Sequence, residues 1–224
     1  MKIAAFVPMK GHSERVPNKN MKDFNGRPLY HLIVKTLLSS KYVTDILIDT
    51  DSDIIIKDVA RNFPSVKTVL RPEELRGDFV SMNKIINFDM EQLNADFYLQ
   101  THSTNPLLKV KTLDNAIENF LTLKETHDSM FSVTRVQTRF YDKNSKPYNH
   151  NPQELLRTQD LEPLFEENSN FFLFTKASFK NAGQKRIGLK PLMFEMDKIE
   201  AVDIDLPQDF EIAKALELII NASL

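Results

Sequence analysis

The chain contains no cysteine, which excludes disulfide frameworks and thiolate metal sites. Its five histidines never fall in a His-x-x-x-His pair, which argues against a structural zinc site. No apolar run approaches the length of a membrane span. The amino terminus lacks the apolar segment and cleavage site of a signal peptide, so cytoplasm is the expected location. Neither sign of charge dominates: 29 basic against 31 acidic residues leave a net charge of −2. Bulk nucleic-acid binding is therefore disfavoured, while a local basic pocket remains compatible. The phosphate-binding patterns Gly-x4-Gly-Lys-[Ser/Thr] and Gly-x-Gly-x-x-Gly are both missing. So is the Gly-x-Ser-x-Gly elbow that would make Ser13 a nucleophile. There is no internal repeat, low-complexity tract or evident linker, and 224 residues suffice for one core, so residues 1–224 are expected to form a single domain.

What is present begins with Met-Lys-Gly-His-Ser-Glu-Arg-Val-Pro-Asn-Lys-Asn, residues 9–20. It follows the apolar run Ile3–Val7, the length of one buried strand. Lys10, Arg15 and Lys19, with Gly11, Ser13 and Asn20, suit a polyanion: backbone N–H groups beside a glycine approach phosphate oxygens closely and the cations neutralise them. A solvated basic loop that binds nothing has the same composition.

Strands and helices alternate along the chain. Strands are expected at Asp45–Asp49, Val66–Leu70, Phe97–Gln100, Met130–Val133, Phe171–Phe174, Leu192–Glu195 and Ala201–Asp203. Helices are expected over Leu29–Leu38, Asp53–Asn62, Met82–Leu93, Val110–Thr122 and Gln208–Ile220. Pro28 suits a first helical position, and Thr50-Asp51-Ser52 offers caps for the second helix. In the closing helix Phe210, Ile212, Ala213, Leu216 and Leu218 or Ile219 are available to pack. Such alternation predicts an α/β fold, a mainly parallel sheet covered by helices on both faces. Ligands of such sheets collect at the carboxyl ends of the strands, where the Lys10 loop, Arg71 and the Gln100 loop all fall. Thr138–Asn168 breaks the rhythm with a polar, turn-rich composition.

Asp203-Ile204-Asp205 is the most informative acidic pair. In an extended segment the two carboxylates share a side while Ile204 packs inward, a start on a Mg2+ site completed by water and substrate phosphate. Asp205 followed by Pro207 and Gln208 also reads as a capping box for the last helix, and the two roles are compatible. His102 reads as a loop histidine ahead of a general base.

Residues 10–20 resemble the phosphate-binding signature of the CMP-sialic acid synthetase (acylneuraminate cytidylyltransferase) family, Arg-x-Gly-Ser-x-x-x-Pro-x-Lys-Asn. Ser13, Pro17, Lys19 and Asn20 match, Lys10 stands where the family has arginine, and His12 replaces a frequent second glycine. Later stretches match in order: Asp49-Thr50-Asp51-Ser52, Arg71-Pro72-Glu73-Glu74-Leu75 with Asp78, Arg157-Thr158-Gln159-Asp160-Leu161, Glu167-Asn168 (with Ser169 for glycine), and Asp203-x-Asp205-x-x-x-Asp209-Phe210. The resemblance implies a Rossmann-like nucleotidyltransferase sheet in which Lys10, Gly11, Ser13, Arg15 and Lys19 hold the triphosphate of CTP. It implies Asn20 and Arg71 at the cytidine, Gln100 at the acceptor, Mg2+ on Asp203 and Asp205, and a homodimer formed through residues 138–168. Lys10, Arg15, Lys19 and Asp205 are then the catalytic candidates, transferring CMP to an acidic 2-keto sugar and releasing pyrophosphate. Gln100 is followed by Thr-His-Ser-Thr-Asn where many members have Pro-Thr-Ser-Pro, which keeps a related nine-carbon acid sugar open beside sialic acid. The acid that enzymes for the eight-carbon sugar Kdo place after the fourth strand is missing. Another sugar nucleotidyltransferase, a nucleotide-binding module without turnover, and a structural protein are the competing readings.

Overall fold

Four consecutive parallel strands build the half of the sheet that carries the loop at residues 9–20. The computed structural model describes residues 1–154 and 156–222. Its elements are β1 (Ile3–Phe6), α1 (Tyr30–Ser39), β2 (Asp45–Thr50), α2 (Asp53–Asn62), β3 (Lys67–Leu70), α3 (Met82–Gln92), β4 (Phe97–Thr101), α4 (Val110–Leu123), β5 (Ser129–Val136), β6 (Leu164–Phe174), α5 (Lys176–Asn181), β7 (Pro191–Glu195) and α6 (Pro207–Ala222). They form one seven-stranded sheet in the order β3-β2-β1-β4-β6-β5-β7. All neighbours are parallel except β6, which runs antiparallel to both β4 and β5.

The alternation of side chains along each strand explains the layers. Ala5, Ile46 and Ile48 face a cluster built with α1, α2 and α4, whereas Ala4, Phe6 and Leu47 face α3 and α5. β1 is buried along its whole length because helices cover both of its faces. α4 buries Leu113, Ala116, Ile117 and Phe120, one face of a 3.6-residue period. Burial of each of the three large ones contributes ~1.5–3 kcal/mol. Ser52 caps α2, its hydroxyl accepting from the Ile55 amide at 3.4 Å.

Several local expectations give way. Pro28 pairs with Asp23 in an isolated bridge, and α1 starts two residues later. Ala201–Asp203 forms no strand: the segment is fixed by the Ile204 amide bonding to the Thr104 carbonyl, not by a ladder. α5, six residues long, is too short to have shown a period. β6 begins at Leu164, inside the stretch read as irregular, because its first half pairs only with β5 and stays half exposed. α6 buries Phe210, Ala213 and Glu217, while Ile212, Leu218 and Ile219 are exposed. Its inner face is set by Glu217, which accepts from Arg27 and Asn25. Residues 138–163 remain irregular, with a Tyr141–Pro147 bridge and a single 3-10 turn at Thr158–Asp160; Leu155, Ser223 and Leu224 lie outside the described residues.

The β5–β6 ladder slips register between Phe131 and Val133. Ser169 adopts φ +56° there, a left-handed conformation that favours glycine. The Asn168 side chain braces the slip, accepting from Ser132 at 2.6 Å and donating to Thr134 at 2.9 Å.

Candidate active site at the carboxyl edge of the sheet

The loop after β1 is keyed into the turn between β2 and α2. Met9 bridges to Thr50, and the Gly11 amide donates to Asp51 Oδ1 at 2.6 Å. A Cβ on residue 11 would lie 2.7 Å from the Ser52 Cβ, so glycine is demanded by close approach. Asn20 ties the loop to the end of β4. Its amide donates to the Lys10 carbonyl at 2.8 Å and accepts from the Ser103 hydroxyl at 2.6 Å.

Beneath the loop lies a buried ionic floor. Arg71, 1% exposed, donates from Nε to Asp49 Oδ1 at 3.0 Å and reaches the Met9 and Asp49 carbonyls. Burial raises the Asp49 carboxyl above its ordinary value and Arg71 opposes the rise. Burial, then the nearby Asp49, pushes Asp89 up to about 9. Asp89 is therefore a neutral acid, and a proton shared with the Asp49 side chain answers the lack of another partner at Asp49 Oδ2 and at both Asp89 oxygens.

Above the floor is a cleft of about 450 Å³ lined by Lys10, Ser13, Arg15, Lys19, Asp78 and His102, among others. Lys10 pairs with Asp78 at 2.6 Å and Arg15 with Asp205 Oδ1 at 2.8 Å. Lys19 is buried and donates to the Ile204 carbonyl at 2.5 Å. Burial lowers its pKa; Asp205 and Asp203 are the main opposing charges. Thus Lys10, Ser13, Arg15, Lys19 and Asn20 line one cleft, with Asp205 reached through Arg15. Gly11 lines the neighbouring hollow instead, and Arg71 lies under the loop with its guanidinium occupied.

Ile204 is fully buried while Asp203 and Asp205 remain exposed, the alternation expected without the strand that was to produce it. Desolvation raises the Asp203 carboxyl; the Thr104 hydroxyl lowers it and Asp205 raises it further. The capping box at Asp205 is corrected: Asp209 reaches back, accepting from the Asp205 and Leu206 amides at 3.1 and 2.7 Å, while the Asp205 carboxylate turns to Arg15. Among the described residues no group of three or more His, Cys, Asp or Glu could hold a metal alone. Two neighbouring carboxylates do fit a hard cation that keeps water and takes phosphate oxygens as its other ligands.

Across β4, Gln100 is fully buried. Its Oε1 accepts from Arg186 at 2.6 Å, and its Nε2 donates to the Thr101 carbonyl at 3.1 Å. Nε2 also meets His102 Nε2 at 2.7 Å, so that ring nitrogen is the acceptor and the ring is the neutral Nδ1–H tautomer. Burial, then Arg186, pushes the His102 pKa down to about 3, which removes it as a general base through Nε2. Arg186 carried no sequence signal: it is one basic residue in a short loop after a helix too brief to detect.

Comparison with known proteins agrees with this architecture. A solved CMP:2-keto-3-deoxy-manno-octonic acid synthetase complexed with CTP superimposes with a TM-score of 0.73, covering 98% of this chain and 100% of that one. At 12% identity that likeness speaks to the fold alone. Pseudaminic acid cytidylyltransferase of Campylobacter jejuni is 27% identical over 229 residues, covering 96% of each chain. N-acylneuraminate cytidylyltransferase A of Danio rerio is 29% identical over 219 residues, covering 95% of this chain and 50% of that one. The cytidylyltransferase family model matches residues 4–221, and the chain belongs to that family.

Proposed function

We propose that the protein transfers CMP from CTP to an acidic 2-keto sugar, sialic acid or a related nine-carbon acid, giving the CMP-sugar and pyrophosphate. The observation that supports this reading is the meeting of Lys10, Arg15 and Lys19 in one cleft at the carboxyl edge of the sheet, with Asp205 paired to Arg15 at its rim and Asp203 lining the adjacent hollow. Relatives named for pseudaminic acid and N-acylneuraminate supply the acceptor class. The anomeric hydroxyl oxygen attacks the α-phosphorus in line, the bond to the β-phosphate breaks, and pyrophosphate leaves with the electron pair. The hydroxyl proton passes to solvent. Such chemistry depends on positioning and charge neutralisation. Lys10, Arg15 and Lys19 hold and neutralise the triphosphate, with Ser13 and the Gly11 turn shaping the loop. Asp203 and Asp205 would hold Mg2+, which when bound supplies charge at the phosphates and lowers the attacking hydroxyl's pKa.

Asn20 and Arg71 act by setting the floor and wall against which the cytidine lies, since their polar ends are already engaged. The enzyme works as a cytoplasmic homodimer of single-domain chains joined through residues 138–168, of which 138–154 and 156–163 are polar and lie outside the strands while Leu164–Asn168 begins β6. Light scattering that shows a monomer at micromolar concentration rules the dimer out. The decisive assay is pyrophosphate release with CTP, MgCl2 and a panel of acidic 2-keto sugars, repeated with the other three nucleoside triphosphates. Release with CTP and one of the acids is expected. CTP binding with no release at any acceptor overturns the reading.

A further inference from the structure

Arg186 is a largely buried guanidinium with few polar partners among the described residues. Its side chain is 19% exposed, and its Cζ lies 3.8 Å from the centroid of the Phe172 ring. Among the described residues one hydrogen bond holds it, NH1 to Gln100 Oε1 at 2.6 Å. The facing carboxylate, Glu167, lies 3.9 Å from NH2, beyond hydrogen-bonding reach. A guanidinium offers five N–H donors in a planar fork. Removing such a cation from water without filling its donors is costly, and an incoming carboxylate recovers that cost through charge-assisted hydrogen bonds.

The position says which anion. Gln100 is in register with Phe6 of β1 on one side and Phe172 of β6 on the other. Arg186, on Phe172, therefore lies across β4 from the loop that carries Lys10, Arg15 and Lys19. Gln100 links it to His102, which lines the cleft. Two cationic positions on opposite sides of one strand suit two separate anionic groups, and the loop already answers to the triphosphate.

We infer that Arg186 is the specificity-determining residue that receives the carboxylate of the acidic acceptor, and that Gln100 is the positioning residue that aims it. This rests on the proposed cytidylyl transfer to an acidic sugar. Gln100 thus reads the acceptor through Arg186, not by direct contact.

The test uses pyrophosphate release by the full chain with the acidic sugar that the wild type turns over and with its neutral methyl ester. Arg186→Gln removes the charge; Arg186→Met does so while retaining contact with Phe172; Arg186→Lys keeps charge without the fork. Thermal melts identify the folded variants. In the neutral variants kcat/KM for the acid should fall about 30- to 1000-fold, the usual range for truncating one partner of a buried charge pair. KM for CTP should stay within about twofold, and the preference for acid over ester should collapse, because only the acid loses its partner. Arg186→Lys should restore part of the preference. A folded neutral variant that keeps the wild-type preference overturns the inference. So does a raised KM for CTP with the acceptor unaffected, which assigns Arg186 to the triphosphate. Wild-type protein inactive with every acid fails earlier, at the proposed function, and takes this inference with it.

Discussion

The cleft has an open rim and a buried floor, and they solve opposite problems. On the rim, Lys10–Asp78 and Arg15–Asp205 are ion pairs between largely exposed side chains. Each such pair stabilises by only ~0–1 kcal/mol, so a polyphosphate can displace the acids with little loss. On the floor, Arg71 holds Asp49 with almost no exposure, and breaking such a pair leaves an uncompensated buried charge. The rim cations are solvent-exposed and paired with one carboxylate each, whereas Arg71 is dry and bonded through both Nε and NH2. Lys19 and Arg186 fall between these classes, largely buried yet each held by one hydrogen bond among the described residues.

The strongest challenge to this division is Asp205→Asn. On the rim it removes a ligand charge and one exposed ion pair, so turnover should drop by roughly 1000-fold if that carboxylate serves the metal. The melting temperature should barely move, because the lost pair is surface-exposed. Near-normal magnesium-dependent activity would remove Asp205 from the metal. Lys19→Ala comes next. Losing a preorganised cation beside the phosphates should lower kcat/KM for CTP by about 100- to 1000-fold. Unchanged steady-state constants in a folded variant would return Lys19 to a purely structural role, holding the Ile204 carbonyl.

Asp89→Asn probes the floor through pH. The Asp89 pKa is higher in the folded protein than in the unfolded chain, so above about pH 4 the folded state keeps a proton that the unfolded state has lost. Its contribution to stability is fully present below that pH and is lost as pH rises toward 9, at up to about 1.4 kcal/mol per unit. Asparagine cannot ionise yet can still donate to Asp49, so the variant should show a flatter pH–stability curve between pH 5 and 8. Parallel curves from denaturant titrations would contradict a protonated Asp89. The smallest effect lies outside both layers. Ser169→Gly relaxes a left-handed residue worth ~1–2 kcal/mol of strain, less glycine's backbone entropy of ~0.5–1 kcal/mol. A melting temperature raised by a degree or two is expected; a fall would show that the serine hydroxyl matters more than the backbone.

The rim was legible in the sequence and the floor was not. Lys10, Ser13, Arg15 and Lys19 lie within one short loop after an apolar run, so chain order alone assembles them. Arg71 and Gln100 were placed at the right end of the sheet but read as facing ligand, since nothing local tells a buried arginine from a receptive one. Asp89 interrupts an apolar helical stripe, and its partner Asp49 lies forty residues away in the chain. The central parallel strands β1 and β2 were readable because burial on both faces produces short apolar runs. The first half of β6 was not, since Leu164–Asn168 pairs with β5 alone and carries polar residues.

The crowding of Gly11 against Ser52 has a dynamic corollary. The same hydroxyl that sits 3.1 Å from a would-be Cβ at residue 11 caps α2 through the Ile55 amide. A swing of the loop after β1 would therefore free or press the cap, and the protection of one amide would gauge loop position. Hydrogen exchange at Ile55 should slow when CTP seats the loop and quicken when Asp51→Ala releases the Gly11 amide, with the middle of α2 unchanged in both. Such a result would make the Ile55 amide a label-free reporter of the loop, placed outside the cleft.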